Sequence, residues 1–309
     1  MKQISFFLLI VILFGCKNNQ NKSELKAEES TYWGTRYSEA TNVKYGNAED
    51  QRLDIYSQGE WIGEPNYWKP DTVAHPTLVY IHGGGWLGGN KDQITPFIIA
   101  YLQKGWNVVN IEYRTGAGTA PLAVDDCMEA IQWISRHSKN FNIDPEQVVV
   151  SGESAGGHLA LITGMLNCIP GSHKFYSGDS LKIKAIVNWF GITDIAGVDN
   201  FYKKQNQESN YASIWVGNPQ RMDSISDIFS PVKRITLSAP PVITIHGRKD
   251  SVVPYEQAVN FHKLLDKAGI RNELVSIEDG KHLGFSAKEF QYIYTRIFDF
   301  LASTSESKK

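Results

Sequence analysis

The sequence predicts an α/β fold in which helices cover both faces of a mostly parallel central sheet, with one cap-like insertion. From residue 75 onward, short apolar runs alternate with longer amphipathic segments, which is typical of successive strand–helix units. The apolar runs are almost continuously hydrophobic, as expected for strands that are buried on both faces. With 309 residues, 42% of them hydrophobic, the chain can bury a large core.

The individual elements follow from the period of the hydrophobic pattern. Continuous apolar runs predict buried strands at residues 77–81, 107–111, 147–150, 183–187, 241–245 and 273–277. Apolar residues spaced three and four apart predict helices at residues 93–104, 121–138, 158–166, 255–267 and 289–301. The run at residues 52–56 predicts a further strand on an antiparallel edge. Because such sheets bind ligands beyond the carboxyl ends of their strands, we expect the functional site there.

Residues 195–229 interrupt this alternation. The stretch of 35 residues is rich in Asn, Ser and Gln, and its aromatic residues include Phe201, Tyr202, Tyr211 and Trp215. An insertion of that length in a compact domain is usually functional or mobile. Its aromatic side chains can line a substrate pocket or pack a small core of the insertion itself, and the sequence leaves both interpretations open.

The charge balance excludes one class of partner. Lys and Arg total 31 and Asp and Glu total 33, which gives a net charge of -2 and no cationic field to attract phosphates. No nucleic-acid partner is therefore expected. Three cysteines are also too few for a disulfide scaffold.

The first thirty residues have the pattern of an export signal. Lys2 precedes an apolar run at residues 4–14 that is interrupted only by Ser5 and is too short to span a bilayer. The run ends at Cys16 in a pattern that resembles the lipobox of bacterial lipoproteins. This resemblance implies a signal peptide at residues 1–15, a lipid-modified Cys16 and a location in the bacterial cell envelope, anchored to the membrane. An ordinary signal peptide is the alternative.

The polar composition of residues 16–30 predicts a flexible tether, and residues 31–303 are predicted to form the working domain. If Cys16 is lipidated, only Cys127 and Cys168 remain, and the sequence does not decide whether they form a bridge. Cys127 lies on an apolar helical stripe, which favours a place in the core.

A serine lies in a glycine-rich turn between a predicted strand and a predicted helix. The motif is Gly152-Glu153-Ser154-Ala155-Gly156, and the G-x-S-x-G pattern has chemical meaning in that strand–turn–helix context. A tight turn exposes the serine hydroxyl, so the neighbouring positions must be small. The following helix directs its positive end at any negative charge that develops there. The motif therefore predicts a nucleophile at Ser154.

A run of three glycines follows the predicted strand at residues 77–81. In His82-Gly83-Gly84-Gly85-Trp86, successive glycines allow backbone N–H groups to face a cavity, which is how a tetrahedral oxyanion is held.

The same stretch, Gly83 to Gly88, also satisfies G-x-G-x-x-G, and Glu112 ends the next predicted strand, so a dinucleotide site is an alternative. Two observations count against it. A dinucleotide-binding helix starts at the last glycine, whereas residues 89–92 intervene here, and that fingerprint gives no role to the serine turn.

Asp250 and His282 each follow a predicted strand immediately, at residues 241–245 and 273–277. Both should lie on the sheet edge that carries Ser154, and Ser, Asp, His is the chain order expected for this architecture. His246 is a rival base, but a role in orienting the strand end is favoured because it lies so close to Asp250. Asp279 could replace Asp250 only if its loop curled back.

Other polar residues near these motifs are interpreted as structural. His82 and His158 are expected to brace loops, and Glu153, Asp125 and Asp126 to accept stabilising hydrogen bonds. The sequence lacks H-E-x-x-H and C-x-x-C spacings, so no metal site is expected.

Taken together, these motifs resemble the α/β-hydrolase superfamily, and within it the hormone-sensitive-lipase-like esterases and the bifunctional carbohydrate esterases that remove acetyl and feruloyl groups. The resemblance covers residues 44–301. The motifs that carry it are His82-Gly-Gly-Gly-Trp86, Asp125-Asp126 with Trp133, Asp144-Pro145, Gly152-Glu-Ser-Ala-Gly-Gly157, Ser230-Pro231, Asp250 and His282.

The resemblance implies a serine esterase that needs no cofactor and acts on small-molecule or oligosaccharide esters. Ser154 would be the nucleophile, His282 the base and Asp250 the acid that orients it. The implied oxyanion hole consists of the N–H groups of Gly83, Gly84 and Ala155. The residues expected to contact substrate are Trp86, Trp215 and Tyr211.

Two other functions remain open at this point. An arylformamidase-like amide hydrolase uses a similar His-Gly-Gly loop, although export fits a cytosolic enzyme poorly. A catalytically silent binding module can also use this fold, because fold alone does not establish function.

Overall fold

A mixed sheet forms the centre of the protein, and the computed structural model describes residues 37–61, 68–93, 95–171 and 181–304. All of these belong to one compact unit, Arg36–Lys309. The strands are β1 (Tyr37–Lys44), β2 (Arg52–Trp61), β3 (Trp68–Pro70), β4 (His75–Ile81), β5 (Asn107–Ile111), β6 (Ile143–Glu153), β7 (Ile183–Trp189), β8 (Val242–Gly247) and β9 (Asn272–Ile277).

The sheet has the strand order β1-β2-β5-β4-β6-β7-β8-β9, and β3 pairs with β2 to the side. Strands β4 to β9 pair in parallel, whereas β1, β2 and β3 pair antiparallel. The carboxyl ends of β6, β8 and β9 therefore meet at one edge of the sheet. The predicted mostly parallel sheet is confirmed.

Helices cover both faces of this sheet. They are α1 (Thr95–Gln103), α2 (Ala120–His137), α3 (Ala155–Asn167), α4 (Ile195–Lys203), α5 (Tyr211–Val216), α6 (Met222–Phe229), α7 (Tyr255–Lys267) and α8 (Ala287–Ser303). Successive side chains of a strand face opposite sides. Accordingly, Val79 of β4 packs in the core formed with α2, α3 and α7, whereas its neighbour Tyr80 packs in the core formed with α1 and α8.

The strand predicted at residues 52–56 is antiparallel, but it does not lie at the edge. Strand β2 pairs with β5 on one side and with β1 on the other, where Ala40 is opposite Ile55. Strand β1 was not predicted, because the side chains of Tyr37–Lys44 are mostly exposed and polar and carry no hydrophobic period. The other predicted strands and helices are present, with ends shifted by a few residues.

The insertion at residues 195–229 contains α4, α5, α6 and a 3₁₀ turn at Pro219–Arg221. Its apolar residues, including Val198, Trp215 and Phe229, join the same buried cluster as helices α2 and α3. The insertion therefore shares the main core of the protein.

Two other predictions concern the N-terminal segment and the pairing of the cysteines. The predicted signal peptide, Cys16 and the tether lie outside the described residues. Cys127 and Cys168 are both free thiols, which answers the question of a bridge. Within the described residues, no helix combines the length and the hydrophobicity needed to cross a bilayer.

Candidate active site

Ser154 occupies a strained turn between β6 and α3. Its φ of 55° lies in the left-handed region, which a non-glycine residue adopts rarely and often at functional sites. Its N–H donates to the carbonyl of Trp189 at 2.8 Å. A Cβ on Gly152 would lie 2.4 Å from the Gly156 carbonyl oxygen, and one on Gly156 would lie 2.1 Å from that of Ile81. Both glycines are therefore needed for the turn to pack on the sheet.

The structure brings Ser154, His282 and Asp250 together in one hydrogen-bonded chain. Ser154 Oγ lies 3.0 Å from Nε2 of His282, and Nδ1 of His282 lies 2.7 Å from Oδ2 of Asp250. Asp250 follows β8 and His282 follows β9, so both approach Ser154 from the carboxyl edge of the sheet. This geometry can move a proton from the serine hydroxyl to the imidazole.

The Asp250 carboxylate is held ionised. Burial raises its pKa, but hydrogen bonds from His246 and His282 outweigh that effect and keep the pKa well below its usual range. The other oxygen, Oδ1, accepts the N–H groups of Val252 and Val253 at 2.8 and 2.9 Å. An ionised acid can stabilise an imidazolium on His282.

The two rival residues form other contacts. The fully buried imidazole of His246 has Nε2 at 2.9 Å from the Val253 carbonyl and 3.2 Å from Asp250, so it supports the acid. Asp279 forms an exposed ion pair with Lys249 at 2.5 Å. The imidazole that contacts Ser154 is that of His282.

The glycine loop differs from the prediction at one position. The N–H of Gly83 donates to Oε1 of Glu153 at 2.6 Å, so it is already bonded to a carboxylate and does not fit the predicted oxyanion role. The N–H groups of Gly84, Gly85 and Ala155 have no acceptor among the described residues. We therefore correct the candidate oxyanion donors to Gly84, Gly85 and Ala155.

Glu153 anchors this loop to the sheet. Besides accepting from Gly83, its Oε2 accepts the hydroxyl of buried Tyr80 at 2.5 Å. Burial raises the pKa of Glu153, and these two hydrogen bonds act against that shift. The carboxylate is thus a structural acceptor beside the nucleophile.

His82 and Glu112 also hold the glycine loop in place. His82 contacts the Gly83 carbonyl through Nδ1 at 2.7 Å and Glu112 through Nε2 at 3.0 Å. The second oxygen of Glu112 accepts the N–H of Lys91 at 3.0 Å. With both oxygens engaged, Glu112 is not available to bind a ribose, which counts further against a dinucleotide site.

A cavity of about 450 Å³ opens at the nucleophile. Its lining combines the glycine loop with apolar side chains and a few polar ones. The lining residues are His82, Gly83, Gly84, Gly85, Gly89, Asn90, Phe97, Glu153, Ser154, Phe190, Tyr211, Val252, His282 and Leu283. Among the described residues, no cluster of three or more His, Cys, Asp or Glu side chains is arranged to hold a metal ion.

The structure brings only one of the three predicted substrate-contacting aromatics to this cavity. Tyr211 lines it, whereas Trp86 and Trp215 are fully buried and stack on each other with ring centroids 4.2 Å apart. Both indoles belong to the core beneath the insertion, which explains why they are absent from the lining. His158 meets both rings edge-on and contacts the Phe229 carbonyl at 2.9 Å, so it braces the insertion.

Two cavity residues had no signal in the sequence. Phe190 has a φ of 40° and packs edge-on against His282 with centroids 4.7 Å apart. Asn90 accepts the N–H of Asp92 at 3.0 Å through Oδ1, which fixes the orientation of its amide and leaves Nδ2 without an acceptor among the described residues. Neither residue belongs to a motif, so only the folded structure identifies them.

Comparison with known proteins places this arrangement in a family. The BD-FAE family model matches residues 67–265, which include the glycine loop, Ser154 and Asp250. The chain belongs to the BD-FAE family.

This BD-FAE chain is similar to the probable carboxylic ester hydrolase LipM of Mycobacterium tuberculosis, with 31% identity over 232 residues. The match covers 73% of this chain and 51% of LipM, so the chain spans about half the length of the curated relatives it matches.

Among solved structures, a truncated carbohydrate esterase from gut microbiota superposes with a TM-score of 0.70 at 24% identity, covering 87% of this chain and 98% of the other. Esterase 2 of Thermogutta terrifontis, phosphoramylated by tabun, gives a TM-score of 0.65 at 24% identity, covering 86% and 94%. These likenesses confirm the α/β-hydrolase fold.

Proposed function

We propose that this BD-FAE protein is a serine-dependent carboxylic ester hydrolase that works through an acyl-enzyme. The observation that carries the proposal is the chain of short contacts from Ser154 Oγ through His282 to Asp250 at the floor of an open cavity. Similarity to LipM, a probable carboxylic ester hydrolase, supports the same reaction.

In the proposed reaction, Ser154 Oγ attacks the ester carbonyl while Nε2 of His282 takes its proton, and Asp250 stabilises the imidazolium. The N–H groups of Gly84, Gly85 and Ala155 would hold the tetrahedral oxyanion. Collapse of this intermediate releases the alcohol, which receives the proton from His282. Water, activated by His282, then attacks the acyl-enzyme and releases the acid.

The proposed substrates are small acyl groups on carbohydrate, so the alcohol is polar. Structural similarity to the carbohydrate esterase from gut microbiota supports this class. Nδ2 of Asn90 also supports it, because this amide has no acceptor among the described residues and can donate to a sugar hydroxyl. The side chains of His82 and Glu153, in contrast, are already engaged with other groups.

The test compares kcat/KM for acetylated xylo-oligosaccharides, a feruloylated arabinoside, long-chain p-nitrophenyl esters and N-formylkynurenine. We expect preference for the carbohydrate esters, and preference for the long-chain ester or the formamide would reject that substrate class. Ser154→Ala should abolish hydrolysis and labelling by a fluorophosphonate while the fold is retained. Retained labelling in that variant would reject Ser154 as the nucleophile.

We also propose that Cys16 is lipidated and holds the protein at the bacterial cell envelope. The apolar run before Cys16 is too short to span a bilayer, so it cannot anchor the protein in place of the lipid. Cys16→Ser should therefore release the protein from the membrane fraction. Persistence there after a high-salt wash would place the anchor elsewhere.

A further inference from the structure

Two tyrosine hydroxyls of the insertion meet at a single backbone carbonyl beside the acid. Tyr202 in α4 donates to the Val252 carbonyl oxygen at 3.0 Å, and Tyr211 at the start of α5 donates to the same oxygen at 3.2 Å. A backbone carbonyl has two lone pairs. Both lone pairs of the Val252 oxygen are therefore engaged by the insertion.

The Val252 residue that receives these hydroxyls also holds the acid. Its own N–H donates to Oδ1 of Asp250 at 2.8 Å, and the next N–H, of Val253, donates to the same oxygen at 2.9 Å. The opposite oxygen, Oδ2, contacts Nδ1 of His282 at 2.7 Å. A shift of the Val252 backbone would therefore rotate the carboxylate relative to the imidazole.

Both phenols are suited to act as permanent donors. Burial raises the pKa of Tyr202, and the nearby charge of Asp250 raises it further. Burial raises the pKa of Tyr211 well above its usual value, and Tyr202 and Asp250 add to the shift. Both hydroxyls therefore keep their protons at any pH at which a histidine base works.

Tyr211 also touches the opposite wall of the site. A Cβ built on Gly85 would lie 3.4 Å from Cβ of Tyr211, so this side chain packs directly on the glycine loop. The same ring lines the cavity above Ser154. Tyr211 thus contacts the cavity, the glycine loop and the segment from Asp250 to Val253, the acid loop.

We propose that Tyr202 and Tyr211 are positioning residues, which hold the Val252 carbonyl so that Asp250 stays aligned with His282. The proposal rests on the proposed function of the Ser154, His282 and Asp250 chain. It gives the insertion a role in alignment of the catalytic groups in addition to shaping the cavity.

The test uses Tyr202→Phe, Tyr211→Phe and the double variant, measured by the rate of fluorophosphonate labelling and by kcat and KM for p-nitrophenyl acetate. Each substitution removes one hydroxyl and preserves the ring. We expect each to lower the labelling rate and kcat about 2- to 10-fold, the ratio that one hydrogen bond of ordinary net strength supports. KM should stay unchanged in Tyr202→Phe, because Tyr202 does not line the cavity.

Tyr294→Phe is the matched control. Its hydroxyl also donates to a backbone carbonyl, that of Pro96 at 2.5 Å, but it lies on α8 away from the acid loop. This variant should lose comparable stability and keep the wild-type labelling rate. An equal loss of activity in Tyr294→Phe would overturn the proposal, because the effect would then be a general loss of stability.

Repeating the tyrosine substitutions in an Asp250→Ala background decides whether they act through the acid. Residues that act through one partner are non-additive with its removal. We therefore expect no further loss of labelling rate in that background. An undiminished 2- to 10-fold loss there would overturn the proposal. Absence of labelling in the wild-type protein would instead refute the nucleophile at Ser154, and this proposal with it.

Discussion

Replacement of Glu153 tests how the glycine loop is held. In Glu153→Ala, the N–H of Gly83 and the hydroxyl of Tyr80 both lose their acceptor. A buried donor left unsatisfied costs about 1–3 kcal/mol, so the two donors together should lower the free energy of unfolding by about 2–6 kcal/mol. Because Glu153 lines the cavity, water can reach the vacated space, which favours the lower part of this range.

The same variant should lose activity in the chemical step. Gly83 precedes the two loop N–H groups proposed to hold the oxyanion, so release of its anchor displaces them. Loss of one well-placed oxyanion donor typically lowers kcat by about 10²- to 10³-fold, and we expect a fall of at least about 10²-fold. KM should change much less, because the interaction develops in the transition state.

Glu153→Gln is the matched variant. Its amide oxygen can still accept from Gly83, so the glycine loop keeps its anchor, while its NH₂ group can donate to the Tyr80 oxygen but leaves the Tyr80 O–H without an acceptor. We expect kcat within about tenfold of the wild type, since the neutral bond is weaker than the charged one. Urea denaturation and initial rates with p-nitrophenyl acetate provide the two measurements. If Glu153→Ala kept wild-type kcat, or if Gln and Ala behaved alike, the proposed anchoring would be refuted.

Two further predictions concern other parts of the site. Burial lowers the pKa of His158 from 6.5 to about 4, so between these values the unfolded chain binds a proton that the folded protein does not. The free energy of unfolding should therefore fall by about 3 kcal/mol as the pH falls from 7 to 4. Urea titrations should show that His158→Gln lacks this component. An identical pH dependence in both proteins would contradict the prediction. Asn90→Asp keeps the acceptor for Asp92 but removes the Nδ2 donor, so kcat/KM for an acetylated xylo-oligosaccharide should fall about 2- to 10-fold relative to p-nitrophenyl acetate. An unchanged ratio would show that Asn90 does not recognise the alcohol.

The fold was predictable wherever burial imposes a period on the sequence. Strand β5, at Asn107–Ile111, is buried at every residue and matches its predicted bounds, as does the amphipathic helix α7, at Tyr255–Lys267. Strand β1 was missed because an exposed edge strand needs no apolar alternation. It follows that β2 was misplaced at the edge, since its second partner was not recognised.

The site was predictable where a chemical role fixes both residue type and chain order. Ser154, Asp250 and His282 each follow a strand, so the sheet alone brings them to one edge. Which N–H groups of the glycine loop are free depends on Glu153, a neighbour on another strand, and the motif does not contain that information. The exposure of Trp215 likewise depends on packing against Trp86, which is distant in sequence.

The stack of Trp86 on Trp215 limits how substrates reach the nucleophile. Exposing half of each indole uncovers about 150–250 Å² of apolar surface, which costs about 4–6 kcal/mol. At tenfold per 1.4 kcal/mol, roughly one molecule in a thousand, or fewer, would have the insertion lifted at any moment. Substrates must therefore enter through the opening that the cavity has without movement of the insertion, where Leu283 is 60% exposed beside His282. The proposed hydrolysis should show no lag and no activation at an oil–water interface, and a change of substrate range should arise from substitutions at this rim.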